Sequence, residues 1–367
     1  MKKCLLLCLA AACLFSCKEK APAPRPAVAL VDAVLRDTSG MRRLATEAGK
    51  LGNGGSIAII GEPSDVLFLS REFALSDLRD NIDGRMRPDS LPDFAGEKFD
   101  LLLDAEDAPY DHFLENVGGS DSLRSLAVQN AIFAWDSTCV RSSLDTKALL
   151  HKSRSKLLIY TSSLQAEYGL FDLDTLQQLA GGVCPVISPA VLQIQKALDS
   201  GATHIAVWTS REVRDAGAWQ AVFERMAPEG ATLAVIAPEQ ALDVRTRLRG
   251  LLRQYLATGR RMDALILDHY GLPLAPLNSE ISLIRRIGTE EDASFDRILA
   301  QDFLLLDPSV VLLDATYALL REKDLFAHRI ARPVLGYYET FEAEDGNTLL
   351  LEVGPEYVAE TYVHQID

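Results

Sequence analysis

Several short apolar runs in this 367-residue chain end in side chains that bind small polar molecules or carry protons. Asp104 closes the run that begins at Phe99. Thr161, Ser162 and Ser163 follow Leu157–Tyr160, and Ser188 follows Val183–Ile187. Thr209, Ser210 and Arg211 follow Ile205–Trp208, while Asp268, His269 and Tyr270 end the run that begins at Ala264. Hydroxyls, carboxylates and a guanidinium in such places donate and accept hydrogen bonds to a solute, and an indole such as that of Trp135 offers a face for stacking. The candidate contacts are therefore Asp104, Trp135, Ser162, Ser163, Ser188, Thr209, Arg211, Asp268 and Tyr270. Taken singly, a Ser, Thr or Asp at a strand end is more simply a cap for the next helix. Taken as a set, some of them line a polar cleft.

Other chemistry has less support. Asp104, Glu106 and Asp107 are spaced for paired-carboxylate work or for a cation, although a solvated acidic loop explains them as well. The six histidines form no HExxH or other two-histidine spacing. There is also no GxSxG elbow and no GxxxxGK[ST] phosphate loop. No metal and no cofactor is expected. Gly52–Gly55 precedes a strand instead of following one, so it reads as a turn and not as a dinucleotide fingerprint. Arg245, Arg249 and Arg253 recur every four residues and read as a solvated helix face. For Cys139 and Cys184, a disulfide and two separate buried thiols both stay open. A two-thiol acid/base pair, as in cofactor-independent racemases with two αβ lobes, is a third reading, but Asp136–Cys139 and Gly182–Pro185 do not match that family's contexts well.

The elements that must position these residues alternate. From Lys156 to Arg211 the chain reads strand, helix, strand, helix, strand. Ser188 and Pro189 suit a cap and a first helical position, Val191, Ile194 and Leu198 share a face, and Gly201 is a stop. Ile57–Gly61, Phe99–Asp104, Thr232–Ile236 and Ala264–Asp268 read as further strands. Ser39–Leu51, Ser122–Phe133, Asp172–Leu179 and Ser279–Ile287 read as helices. Val28–Leu35 is a first apolar run, and Arg71–Glu97 has no clear assignment. Val310–Asp314 reads as a strand and Ala315–Lys323 as a helix. Pro333–Tyr338 and Thr348–Val353 flank the turn Asp345–Asn347 as a hairpin. Runs apolar on consecutive positions imply parallel strands with helices on both faces, and ligands of such sheets sit beyond the carboxyl ends of the strands.

Composition is that of a globular body. Hydrophobic content is 48%, and a chain this long buries roughly three quarters of its unfolded surface. The formal charge of -15, or -17 once Lys2 and Lys3 are lost, disfavours nucleic acid and anionic membrane surfaces as partners, because phosphate binding needs basic patches. At the N-terminus, Lys2 and Lys3 precede the apolar stretch Leu5–Phe15, which is shaped like a signal h-region. Leu14–Phe15–Ser16–Cys17 resembles the lipobox of bacterial lipoproteins, which implies cleavage before Cys17 and a lipid on it. An ordinary secretory signal with incidental cysteines is the alternative. Residues 1–16 are then a signal and 17–27 a lipidated tether. The protein is placed in the cell envelope, with Lys18 after Cys17 favouring an outer membrane.

The two-lobed pattern, the export signal and the junction Pro185–Val186–Ile187–Ser188 resemble type 1 periplasmic binding proteins, the substrate-binding lipoproteins of ABC importers. Gly201–Val207 and Pro333–Tyr338 fit that family's second-lobe opening and late strand. The resemblance implies an α/β fold of two lobes, each a parallel sheet flanked by helices. One lobe spans 28–187 and is completed by about 315–367; the other spans 188–314. It also implies a monomeric, non-enzymatic protein that captures a small polar solute between its lobes for an importer permease. An envelope lipoprotein of the same fold with an interaction role, and the two-thiol enzyme, are the alternatives.

Overall fold

The computed structural model describes residues 25–362 except 38, 39, 116, 117, 240 and 242. Cys17, the signal and most of the tether lie outside the described residues. The chain begins with α1 (Ala29–Arg36), α2 (Met41–Glu47), β1 (Ser56–Gly61), α3 (Pro63–Leu75) and β2 (Lys98–Leu103). It continues with α4 (Gly119–Trp135), the hairpin β3 (Thr138–Ser142) and β4 (Asp145–His151), β5 (Ser155–Tyr160), α5 (Ser163–Ala180) and β6 (Val186–Ile187). There follow α6 (Pro189–Asp199), β7 (His204–Trp208), α7 (Arg211–Ala216), α8 (Ala218–Met226), β8 (Thr232–Ile236), α9 (Val244–Leu256) and β9 (Met262–Leu267). The last elements are α10 (Leu274–Arg285), α11 (Glu290–Ile298), β10 (Leu299–Leu306), α12 (Pro308–Glu322), β11 (Val334–Glu342), β12 (Thr348–Val353) and α13 (Pro355–Tyr362).

These strands form two sheets, and each defines a lobe. Sheet one has eight strands in the order β4-β3-β12-β11-β2-β1-β5-β6, and sheet two has four in the order β10-β9-β7-β8. Sheet two is parallel throughout. Sheet one is parallel from β11 through β2, β1 and β5 to β6, but β12 and β4 run antiparallel to their neighbours β11 and β3. Thus the expectation of parallel strands holds for sheet two and, in sheet one, from β11 to β6. The late hairpin expected around Asp345–Asn347 is present as β11–β12. The β3–β4 hairpin is not readable in the sequence because β4 is an edge strand with little burial and no apolar alternation.

Successive residues of the central strands feed opposite faces, as the pleat requires. Ala58, Ile60 and Leu158 pack with α1, α4 and α5, whereas Ile57, Ile59 and Leu101 pack with α3 and α12. Sheet two is likewise covered on both faces, by residues of α9–α11 and of α6 and α8. The run Val28–Leu35 is helical because Val28, Val31 and Val34 are buried at threefold spacing. Val310–Asp314 is not a strand: Pro308 opens α12, Asp307 accepts from Ser309 N at 2.7 Å, and a cap with proline at the first position begins a helix there. The unassigned region Arg71–Glu97 begins inside α3, which also starts at a proline, Pro63.

The chain passes between the lobes twice, from Ile187 to Pro189 and from Leu306 to Pro308. Gln193 of α6, fully buried, donates from Nε2 to Leu267 O at 3.0 Å and to Leu306 O at 3.3 Å, fastening the crossing to the ends of β9 and β10.

The amino ends of the sheet-one strands are pinned by buried charge. Lys156 Nζ donates to Glu97 Oε2 at 2.8 Å and to Leu325 O at 2.6 Å, while Glu97 Oε1 accepts from Ala327 N at 2.6 Å. Both side chains of this pair are essentially inaccessible. Lys156→Ala leaves Glu97 buried without its partner. It is expected to lower the unfolding free energy by about 3–5 kcal/mol, measured by urea denaturation.

Candidate functional site

The carboxyl ends of the two sheets face each other, and one carboxylate ties them. Asp268 follows β9. Its Oδ2 accepts from Thr209 Oγ1 at 2.6 Å, from Trp219 Nε1 at 2.7 Å and from Ser163 Oγ at 3.0 Å. Thr209 follows β7 and Trp219 lies on α8, so two donors come from its own lobe. Ser163 opens α5 of the other lobe. Tyr270 reaches the same way, donating from its hydroxyl to Thr161 O at 3.0 Å. Its ring meets Phe68 of α3 at 6.4 Å between centroids. Farther along the seam, Tyr168 OH donates to Ala216 O at 3.2 Å, and Arg225 makes two bonds to Glu167, at 2.8 and 2.6 Å.

Across the seam from Asp268 stands Asp65, in the first turn of α3. Burial pushes its carboxyl up to about 7, and the negative charges of Glu62 and Asp268 add to the rise. Burial also lifts Asp268, but the donors from Thr209, Trp219 and Ser163 favour its ionised form and hold it to about 6. His269 is driven down to about 4 by burial with Arg247 beside it, so its ring is neutral near pH 7. Burial raises Glu62 too, against the hydrogen bond it accepts from Tyr110 N at 3.1 Å. The seam therefore holds carboxyl groups from both lobes, Glu62 and Asp65 from one and Asp268 from the other, all raised above the ordinary carboxylate range. That is the arrangement acid/base chemistry needs. Nearby lie Thr161 Oγ1 and Ser188 Oγ, buried and without a hydrogen-bond partner among the described residues. Both follow the carboxyl ends of adjacent parallel strands, β5 and β6.

The close approach of β1 to this edge requires glycine. A Cβ on Gly61 would lie 1.9 Å from Thr161 Oγ1.

Of the candidates read from the sequence, Ser163, Thr209, Asp268 and Tyr270 come together at the seam. Ser162 caps α5, accepting from Gln165 N at 3.4 Å. Ser188 sits in the first crossing, on the same edge. Three others have different roles. Asp104 is spent on the fold: it accepts from Tyr110 OH at 2.7 Å, Asn130 Nδ2 at 2.7 Å and Thr340 Oγ1 at 3.0 Å. Trp135 is fully buried in the sheet-one core and offers no face to a ligand. Arg211 is exposed at the start of α7.

Cys139 and Cys184 are both buried, and they are not joined. Cys139 lies on β3, Cys184 just before β6, and five strands separate β3 from β6. Six steps at the usual strand spacing come to on the order of 30 Å, which excludes both a disulfide and a shared two-thiol site. Cys184 also lies at the amino end of the sheet, touching Ser155 O. Burial pushes the two thiols up to about 11 and about 12, far from a reactive thiolate.

Asp65 and Trp219 went unrecognised as site residues. The signal for Asp65 was present: Glu62–Pro63–Ser64–Asp65 directly after an apolar strand is a helix start with an acid in its first turn. Trp219 reads only as part of an apolar helix face, and nothing in its spacing marks the indole N–H as a partner for Asp268.

No family model matches the chain, and no curated protein matches it. Solved structures do match. The fold is similar to that of a glutamate racemase isoform from Bacillus anthracis, with 14% identity and a TM-score of 0.51, over 85% of this chain and 95% of that one. A glutamate racemase from Francisella tularensis, solved with D-glutamate, gives 15% identity and 0.49 over 85% and 94% of the two chains. An aspartate racemase homologue from Pyrococcus horikoshii gives 14% and 0.41 over 73% and 99%.

At such identities the likeness is one of fold: two α/β domains with parallel sheets flanked by helices. It corrects the resemblance to type 1 periplasmic binding proteins. The importer permease as partner, the transport role and the non-enzymatic reading all rested on that resemblance, and they fall with it. The local reason is plain. Pro185–Ser188 followed by Pro189 marks a strand exit and a helix entry, and any two-lobed α/β chain needs such a junction where it changes sheets.

The raised carboxyls carry a linkage consequence. Asp65 and Asp268 hold protons in the folded chain up to about pH 7 and about pH 6, whereas free aspartate loses its proton near pH 4. Their contribution to stability is thus largest at low pH and declines as pH rises from about 4 to about 7. In Asp65→Asn that decline is reduced. The variant's unfolding free energy should gain on the wild type between pH 5 and pH 8, as read from paired urea titrations.

Proposed function

We propose that the chain is an enzyme that exchanges a proton at carbon on a small amino acid held between the lobes, with Asp65 and Asp268 as the acid/base pair. The observation that carries this reading is the pair itself: two partly desolvated carboxyls, one from each lobe, at about 7 and about 6. Of the two, Asp268 is the more readily ionised, because three donors face its carboxylate. In this reading Asp268 takes the α-proton, so that the Cα–H bond breaks as an O–H bond forms. Asp65 then gives its proton to the carbanion from the opposite side. Return on that face inverts the centre, which is the chemistry named for the glutamate racemase of similar fold. The carboxylates themselves accept and release the protons, so the step is balanced.

Charge supports the substrate class. Glu62, Asp65 and Asp268 make the seam acidic, which suits an ammonium group, and the amino ends of α3 and α5 point N–H groups at the same place for a carboxylate. Thr161 and Ser188 supply hydroxyls that the fold leaves unused. Substrate entry requires the lobes to part, because Tyr270 and Phe68 close the seam from either side.

The test is deuterium uptake at Cα, followed by NMR, for a panel of L- and D-amino acids in D2O. Exchange should peak between about pH 6 and about pH 7 and fall on either side. Asp65→Asn and Asp268→Asn should each slow it by about a hundredfold or more. A folded sample that exchanges none of the panel would sink the proposal.

For the N-terminus we propose what the sequence implies, an envelope location through lipid on Cys17. Labelling cells with an alkynyl fatty acid should tag the wild type and leave Cys17→Ala untagged. Equal labelling of both would remove the anchor.

A further inference from the structure

The seam is not the only place where this chain is built to meet a charged molecule. At the opposite end of sheet two, around the amino ends of β9 and β10, lies a shallow, open pocket of about 330 Å³ lined by Arg261, Arg285, Asp296, Arg297, Leu299 and Gln301. Three arginines against one aspartate make it cationic, in a chain whose formal charge is -15. Arg285 is fixed in place. Its Nη1 donates to Asp296 Oδ1 at 2.9 Å and to Leu299 O at 3.3 Å, and its Nη2 donates to Ala300 O. Those bonds leave Nε–H and one Nη2–H of the guanidinium uncommitted. Arg297 is steadied by its own helix, through Ala293 O at 3.1 Å and Ser294 Oγ at 3.2 Å. Neither Arg297 nor Arg261 has a carboxylate within ion-pair distance among the described residues, and Arg261 has no hydrogen bond there.

We infer that this pocket is a binding site for a phosphate group. A guanidinium held rigid by backbone carbonyls loses little entropy when it takes a tetrahedral anion. Two further guanidiniums free of counter-charge supply the rest of the neutralisation. The volume is at the lower end of small-ligand pockets, which fits a phosphate with a small substituent. The pocket lies at the amino ends of the strands and shares no residue with the seam, so the site is separate from the one assigned to proton transfer. The phosphate can belong to a free small molecule or to a lipid headgroup.

The experiment titrates the full chain with inorganic phosphate by calorimetry at low ionic strength, and in parallel sediments it with phosphatidylglycerol vesicles against phosphatidylcholine vesicles. Binding to either probe that falls about tenfold or more in Arg261→Ala/Arg297→Ala, and is unchanged in Arg42→Ala/Arg43→Ala on the other lobe, supports the site. Which probe responds names the source of the phosphate. Arg261→Gln alone repeats the test without removing any hydrogen bond, should the double variant unfold. The inference is overturned if neither probe binds the wild type, or if binding survives loss of Arg261 and Arg297.

Discussion

A single carboxylate oxygen organises the meeting of the two lobes. Asp268 Oδ2 accepts three hydrogen bonds, two from its own lobe and one from Ser163 across the seam. A buried carboxylate is costly without donors, so the ionised form of Asp268 depends on the lobes being together. The closed arrangement in turn depends on what Asp268 and Tyr270 hold. Asp65 sits in the same field with no such donors around it, and its carboxyl is pushed higher. The difference between the two acids therefore comes from hydrogen bonding more than from depth.

Parallel sheets have two unlike ends, and this chain uses them differently. At the amino end of sheet one are the Lys156–Glu97 pair, Asp100 bonded to Ser56, and Cys184, all closed off from solvent. These groups hold strands and loops in register. At the carboxyl end the helices begin, and their first turns bring Asp65, Ser162 and Ser163 to the opposing lobe. The distinction also decides the fate of the thiols. Cys139 and Cys184 are chemically capable residues, but they sit on and just before strands with five others between them, away from the carboxyl edge.

Much of this edge was legible in the sequence. Apolar runs that stop at Thr209 or Asp268 state where a strand ends and which side chains the end exposes, and Ser163 and Tyr270 followed from the same logic. Trp135 and Asp104 did not, because burial depends on what packs above a position. The helix capped by Glu62 and Pro63 was obscured by the polar stretch after it, and Asp65 was hidden with it. The kind of two-lobed fold was beyond reach for a different reason. Strand-helix alternation, a mid-chain crossing and a returning C-terminal segment are common to several architectures. What separates them is strand order, which is set by long-range pairing and leaves little trace in local pattern.

The placement of β11 and β12 has one more implication. They insert between β2 and β3, both read from the first half of the chain, so sheet one stays in two pieces until the residues from Val334 onward are available. Sheet two is drawn from one uninterrupted stretch and lacks nothing once β10 is made. The later-synthesised lobe is thus the first able to fold on its own, the reverse of the usual order along a growing chain. The N-terminal half must wait in an incomplete state, with a hydrophobic sheet edge at β2 unpaired. The C-terminal hairpin is therefore the step that commits the whole molecule to its final shape.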